Sequence, residues 1–357
     1  MKKLCKRSNT DQKEQLDQHL KAIAQILVDN TPEEQLRSFE GIETALRDHW
    51  LTTLGPAIGN FFFESATGTQ AGRTKSVSSI IGKVKISEKQ ADKLGLSKNN
   101  RLSPMLEKCC LGAVAKVSFE DAEKALKMAT GMAVSGSSQQ RLVQRYKFEE
   151  AEAKSPVEAL SVDGGKVRIR TPKGQPSQWR DYKAVSLHGQ ECAGFFQQNE
   201  ELLEWVNRQP LTEVVTCLGD GHDGVWNLME KIGVKRREIL DWYHLVENMN
   251  KIGGSNKRLN RIKENLWKGE VKRVLEELEG CKKKQAINFT KYVDKHRERI
   301  PNYELYQSQG ICIGSGSVES KIKQIGARMK IVGAQWKAEN VPQYLKLRCA
   351  YLNGDIA

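Results

Sequence analysis

Two apolar runs, each ending on an aspartate next to glycine, constrain this chain more than any other feature. The first is Ala159-Leu160-Ser161-Val162-Asp163-Gly164-Gly165, and the second is Glu213-Val214-Val215-Thr216-Cys217-Leu218-Gly219-Asp220-Gly221. Leu160 and Val162 alternate with small or polar partners at the period of a strand, and Val167 and Ile169 resume the alternation after the glycines. The expectation is two strand segments flanking a bend at Gly164-Gly165, with Asp163 at the end of a buried strand. An Asp-Gly pair is also a common hairpin turn, so neither run alone specifies chemistry.

The intervening sequence adds to the pattern. Trp179 to Leu187 alternates well enough to be an antiparallel neighbour of the first strand, and Thr171-Pro172-Lys173-Gly174-Gln175-Pro176 between them is turn chemistry. Glu200 to Gln209, with Leu202, Leu203, Trp205 and Val206, reads as a helix that Pro210 ends. Strand, strand, helix, strand is the order by which an α/β, ribonuclease-H-like mixed sheet puts two carboxylates on adjacent strand ends. A third carboxylate is then expected from a helix start, and Gly314-Ser315-Gly316-Ser317-Val318-Glu319 supplies it, with Ser317 as a cap and Glu319 in the first turn. An acidic residue there also complements the helix dipole. Asp163, Asp220 and Glu319 form a D-D-E set, 57 residues apart (163 to 220) and then 99 (220 to 319). Three carboxylates held together repel, so hard cations, two Mg²⁺ or Mn²⁺ ions, are expected with them. Asp223 is the main rival to Asp220, and Glu158 a weaker rival near Asp163.

Charge points to the partner. Lys+Arg number 57 against Asp+Glu 44, a formal net charge of +13, which favours a polyanion, with nucleic acid the first candidate. The eight cysteines include no C-x-x-C pair and several lie inside apolar runs, so they read as reduced core residues. A polar stretch follows the basic start where a signal peptide needs an apolar one, and no apolar run reaches membrane-spanning length. Leu16, Leu20, Ile23 and Leu27 predict a first helix, and Thr31-Pro32-Glu33-Glu34 the start of a second carrying Leu36, Phe39, Leu46 and Trp50. Gly55 to Ser79 reads as a linker with one aromatic cluster, Phe61-Phe62-Phe63. Ser118-Phe119-Glu120-Asp121 opens a helix that stops at Gly131, and Ser137-Ser138-Gln139-Gln140 opens another, with Leu142 and Val143 inward and Arg141, Gln144, Arg145 and Lys147 outward. This outline fits a helix-turn-helix whose Gln139, Gln140, Arg141, Gln144 and Arg145 read DNA, and equally an ordinary helical hairpin.

The Asp163-Gly164-Gly165 strand, the Leu218-Gly219-Asp220-Gly221 strand end, Asp241-Trp242-Tyr243-His244 and the Gly314 to Ser320 helix start together resemble DDE transposases of bacterial insertion sequences, in particular the ISKra-four family and its Mutator-like relatives, over roughly Leu94 to the C-terminus. The resemblance implies a ribonuclease-H-like catalytic domain, interrupted by an all-helical insertion and preceded by a helix-turn-helix. It implies metal-dependent strand cleavage and strand transfer at terminal inverted repeats, with Asp163, Asp220 and Glu319 holding the ions. His244 lies near the catalytic centre in that family, where it would hold the scissile phosphate; as a lone motif it fits a structural histidine. After Glu319, Lys321, Lys323, Arg328 and Lys330 are candidate phosphate contacts or a solvated face. Many members carry a cysteine-rich zinc element just before the region matching Leu94, whereas Ile86-Ser87-Glu88-Lys89-Gln90 has no cysteines, so no zinc is expected.

The implied organisation is an N-terminal helical region (1–55) for dimerisation or DNA contact, a linker and small subdomain (56–95), the helix-turn-helix (96–150), the catalytic domain (151–229 and 308–357) and the insertion (230–307). Partners would be double-stranded DNA, both transposon ends and target, and further copies of the chain as a homodimer or higher oligomer, in the cytoplasm at the nucleoid. Two other classes stay open: a ribonuclease-H-like nuclease on structured nucleic acid, and a non-catalytic DNA-binding protein derived from a transposase.

Overall fold

The computed structural model describes residues 9–314 and 316–356, with the side chains of 9, 10 and 316–320 outside the description. The chain forms two compact units, Met1–Cys110 with Glu120–Gly136, and Leu111–Phe119 with Ser137–Ala357. Among the described residues, no helix is long and apolar enough to cross a membrane, and the described cysteines are free thiols.

In the first unit the Leu16–Ile23 spacing forms helix α1 (Asn9–Asp29), and Leu16, Leu20 and Ile23 remain exposed on it. The single helix expected from Pro32 is instead two, α2 (Glu33–Leu36) and α3 (Phe39–His49). Ser38 breaks it, because its hydroxyl accepts the Gly41 N–H at 3.0 Å and so caps a new helix. The linker expected at 55–79 is corrected too: α4 (Gly55–Thr67) occupies most of it, with Pro56 in its first turn, and β1 (Thr74–Ser79) follows. Phe63 supplies the reason, since it packs on a small core of Val77, Val84, Ile86, Ala91 and Leu96. That core belongs to β1, its antiparallel partner β2 (Gly82–Ser87) and α5 (Glu88–Lys93), whose start is closed by a Ser87–Gln90 capping box. Helices α6 (Pro104–Val114), α7 (Phe119–Thr130) and α8 (Gly136–Arg145) come next; α8 begins at Gly136, so Ser137 lies inside its first turn rather than capping it.

The second unit is an α/β structure around a mixed five-stranded sheet. Its strands are β3 (Val157–Ile169), β4 (Gln178–Leu187), β5 (Cys192–Phe196), β6 (Leu211–Gly219) and β7 (Lys235–Leu240), in the order β5-β4-β3-β6-β7. β4 runs antiparallel to β3 and β5, while β6 and β7 run parallel to β3. Two expectations change here. The chain does not bend at Gly164-Gly165: β3 runs straight through, with Gly164 opposite Lys183 and Gly165 opposite Tyr182. The segment 230–307, expected to be all-helical, is not, because Lys-Arg-Arg-Glu-Ile-Leu forms β7 within it. An edge strand exposes its outer side, so only Ile239 and Leu240 need to be buried and no apolar run marks it in sequence.

Helix α9 (Asn199–Arg208) links β5 to β6, and α10 (Asp223–Met229) links β6 to β7. Beyond β7 lie α11 (Trp242–Asn250), α12 (Asn256–Trp267), α13 (Val271–Leu278), α14 (Lys284–Lys295) and α15 (Tyr303–Ser308). Their apolar faces, Leu245, Ile262, Leu266, Val274 and Phe289 among them, join one core with Leu160, Val162 and Leu218 of the sheet. The chain then returns through α16 (Gly316–Met329) and α17 (Val341–Asn353), the latter packing on β5.

Candidate active site

Strand register brings the two aspartates together. β3 and β6 pair Leu160 with Cys217 and Ser161 with Leu218, an offset of 57, and Asp163 and Asp220 are also 57 apart. β6 and β7 pair Leu218 with Ile239 and Gly219 with Leu240, an offset of 21, which carries Asp220 on to Asp241. The Asp241 N–H donates to the Gly219 carbonyl at 2.9 Å and extends that ladder. Asp163, midway along β3, and Asp220 and Asp241, immediately past the carboxyl ends of β6 and β7, therefore fall at matching register positions on three neighbouring parallel strands.

The three carboxylates have different surroundings. Asp163 is half-buried; burial pushes its carboxyl above the usual range and the Asp220 charge adds to this, while the Gly164 N–H, His244 and Lys330 pull the other way. The Gly164 N–H donates to Asp163 Oδ1 at 2.6 Å. Asp220 Oδ1 accepts the His222 N–H at 2.9 Å, which turns the chain into α10, and Tyr292 Oη donates to the Asp220 carbonyl at 2.8 Å. Asp241 is buried and caps α11, accepting from the backbone N–H groups of Tyr243 (2.9 Å) and His244 (3.1 Å), with His244 Nδ1 3.5 Å from the same oxygen. Asp241 and His244 thus share a face, as their spacing predicts. Asp163 and Asp220 open into a cleft of about 600 Å³, whose walls include Lys166, Lys183 and His222. Gln197 also lines it and has φ of +56°, the one non-glycine residue in the left-handed region among those described.

One side chain pins the surrounding elements. Tyr182 of β4 lies over Gly165, where a Cβ would come within 2.7 Å of its ring, and its hydroxyl would meet a Cβ at Gly326 of α16 at 2.9 Å. The two glycines bracket this ring and let α16 approach β3 and β4 near Asp163. Upstream of α16, the Trp242 N–H donates to the Ile313 carbonyl at 3.1 Å, and Cys312 Sγ lies 3.1 Å from His188 Nδ1. His188 Nε2 is 2.7 Å from Ser161 Oγ on β3, so this segment is tied both to α11 and to the sheet. Glu319 is the fourth residue of α16; its side chain lies outside the described residues. Among the described residues, no group of three or more His, Cys, Asp or Glu is arranged to hold a metal ion.

The other candidates separate by exposure. Asp223 faces solvent and pairs with Lys295 at 2.5 Å, outside the cleft lining, and Glu158 is exposed at the far end of β3. Arg141, Gln144 and Arg145 are exposed on α8 and Gln140 is half-buried, but Gln139 is fully buried and cannot face a DNA groove. The helix places it between Leu142 and Val143 on the inner side, a face that extends one residue further than the sequence suggests. Arg328 is corrected likewise: it is buried, donates to the Val114 carbonyl at 2.8 Å and sits over the Trp336 ring. Lys321 is half-buried and donates to the Gln190 carbonyl at 2.5 Å, whereas Lys323 and Lys330 are exposed.

Sequence reasoning overlooked Tyr182, the His188–Ser161–Cys312 contact and Asp241 as a member of the aspartate row. Asp241 carried a signal, since Ile239-Leu240-Asp241 repeats the strand-then-aspartate pattern, but the charged start of β7 hid it. No protein-family model matches this chain, and no curated protein is detectably similar to it.

Proposed function

We propose that this chain is a DDE-type DNA transposase, which binds the terminal inverted repeats of an insertion sequence and cuts and joins DNA strands at a carboxylate site built on Asp163, Asp220 and Glu319. The observation that carries the reading is the shared register of Asp163 and Asp220 on adjacent parallel strands, Asp163 within β3 and Asp220 just past the end of β6, both lining one cleft. The strand order, with two antiparallel pairs beside two parallel ones, suits a ribonuclease-H-like domain. Helix α8, with Arg141 and Arg145 exposed, suits the second helix of a helix-turn-helix, and the net charge of +13 suits a DNA partner.

Asp163 and Asp220 fit a divalent cation, because both donors are hard oxygens and the Asp163 carboxyl is held above its usual range partly by its neighbour's charge. Mg²⁺ is commonly held by one or two carboxylates together with substrate phosphate oxygens. Bound there, Mg²⁺ or Mn²⁺ would activate the attacking oxygen and stabilise the departing 3′ oxygen. The chain's own part is to fix the two carboxylates by strand pairing, to orient His244 through the buried Asp241, and to bring the Lys330 charge towards Asp163 so that a phosphodiester is drawn into the cleft.

The test is cleavage of a plasmid carrying the DNA that flanks this gene, in Mg²⁺. Cutting at the element's ends is expected for wild type and Asp223→Asn, with loss in Asp220→Asn and Glu319→Gln while DNA binding persists. Activity in Asp220→Asn with loss in Asp223→Asn would overturn the site. Tight end binding without cutting by the wild type would favour a binding-only protein.

A further inference from the structure

The first compact unit holds a cavity of about 710 Å³ on the β1–β2 hairpin that the reading above does not use. Arg73, Lys75, Lys83, Lys98 and Arg101 line it, against two exposed carboxylates, Glu88 and Asp92. Strand alternation explains the rest of the lining. Val77 and Ser79 of β1 turn inward opposite Val84 and Gly82, so Thr74, Ser76 and Ser78 turn outward and put hydroxyls in the cavity. The loop that brings Lys98 and Arg101 is fixed beside β1. Lys75 Nζ donates to the carbonyls of Ser97 (2.7 Å) and Lys98 (3.1 Å), the Ser78 N–H donates to the Arg101 carbonyl at 2.9 Å, and the Ser103 N–H donates to the Ser78 carbonyl at 2.8 Å. Among the described residues, Arg73, Lys83, Lys98 and Arg101 form no ion pair, so their charges are available.

We propose that this cavity docks the phosphate backbone of duplex DNA. Phosphate oxygens accept hydrogen bonds and carry negative charge, and the wall offers hydroxyl and cationic donors from two strands and a loop. Several separate cations exceed what one phosphate needs and match a polyanion. Among the described residues, no aromatic side chain lines the cavity, which gives no stacking platform of a single-strand site, and Ala91 is its one apolar residue, too little to hold a nucleotide base. The proposal goes beyond the catalytic reading, since it requires neither Asp163 nor a metal.

The experiment is fluorescence anisotropy of a labelled duplex of arbitrary sequence with the full chain, in EDTA, across a salt series. The variant is the triple Arg73→Gln, Lys83→Gln, Arg101→Gln; Lys75 is kept because it holds the loop. The charge control is Lys231→Gln, Lys235→Gln, Lys251→Gln. Each phosphate contact contributes about 0.9 to the slope of log K against log salt, so the triple variant should lose about 2 to 3 in slope and bind about tenfold or more weakly, while the control keeps its slope. An unchanged triple variant, or an equal loss in the control, would overturn the site. Tighter binding of an equivalent RNA duplex, lost in the same variant, would overturn the assignment to DNA. End cleavage by the wild type with an unaltered triple variant removes this site and leaves the transposase reading intact; loss of slope in a chain that never cuts supports this site and counts against that reading.

Discussion

Gly165→Ala tests whether Tyr182 holds the strand beside Asp163. A Cβ built at Gly165 lies 2.7 Å from Tyr182 Cε1 and Oη and 2.8 Å from Cζ. Carbon atoms pack best at about 3.5–4.0 Å, so the overlap is roughly 1 Å. The ring is 3% exposed, and Gly326 closes its other side at 2.9 Å from the hydroxyl, so it has little room to retreat. Overpacking of this kind costs about 1–3 kcal/mol. Against it stands a gain of about 0.4–1 kcal/mol from replacing glycine in the unfolded chain. The net expectation is a loss of about 1–2 kcal/mol, read from urea unfolding followed by the fluorescence of the buried Trp205, Trp226 and Trp242. In a Tyr182→Ala background the clash is gone, so the same substitution should cost nothing or stabilise. A Gly165→Ala protein as stable as wild type, or an equal loss in both backgrounds, would refute the wedge.

His188 makes stability sensitive to acid. Burial pushes its imidazole down to about 4 from an ordinary 6.5, with Ser161 and Cys312 at its two nitrogens. Between those values the unfolded chain takes up a proton that the folded chain refuses, so stability should fall as pH drops from 6.5 towards 4, by about 2–3 kcal/mol in all. Urea midpoints at pH 7 and pH 4.5 should converge in His188→Asn relative to wild type; an unchanged gap would count against this account. Arg328, pushed down to about 10 by burial, is a structural cation: Arg328→Ala should lose about 2–3 kcal/mol of stability with DNA affinity of the folded protein unchanged. Lys330→Ala should do the opposite, and equal effects of both on DNA binding would show that Arg328 reaches the nucleic acid.

Local pattern in the sequence was enough for α1, β4, α9 and β6, because each shows a period that only one backbone conformation can satisfy. It also singled out Asp220, since an apolar run that stops on a carboxylate marks where a buried strand meets solvent; Asp163 showed the same pattern although its strand continues past it. Tertiary structure decided what that pattern could not carry. Gly164-Gly165 reads as a bend, yet the strand continues because Tyr182 fills the space that a side chain would take. β7 has too few apolar residues to announce itself, since an edge strand needs little burial. Gln139 and Arg328 read as surface groups but are inside, where neighbouring elements close over them. The row of Asp163, Asp220 and Asp241 follows from pairing offsets of 57 and 21 between strands. Periodicity records only which side of an element faces apolar neighbours, whereas register is set by contacts between segments far apart in the chain.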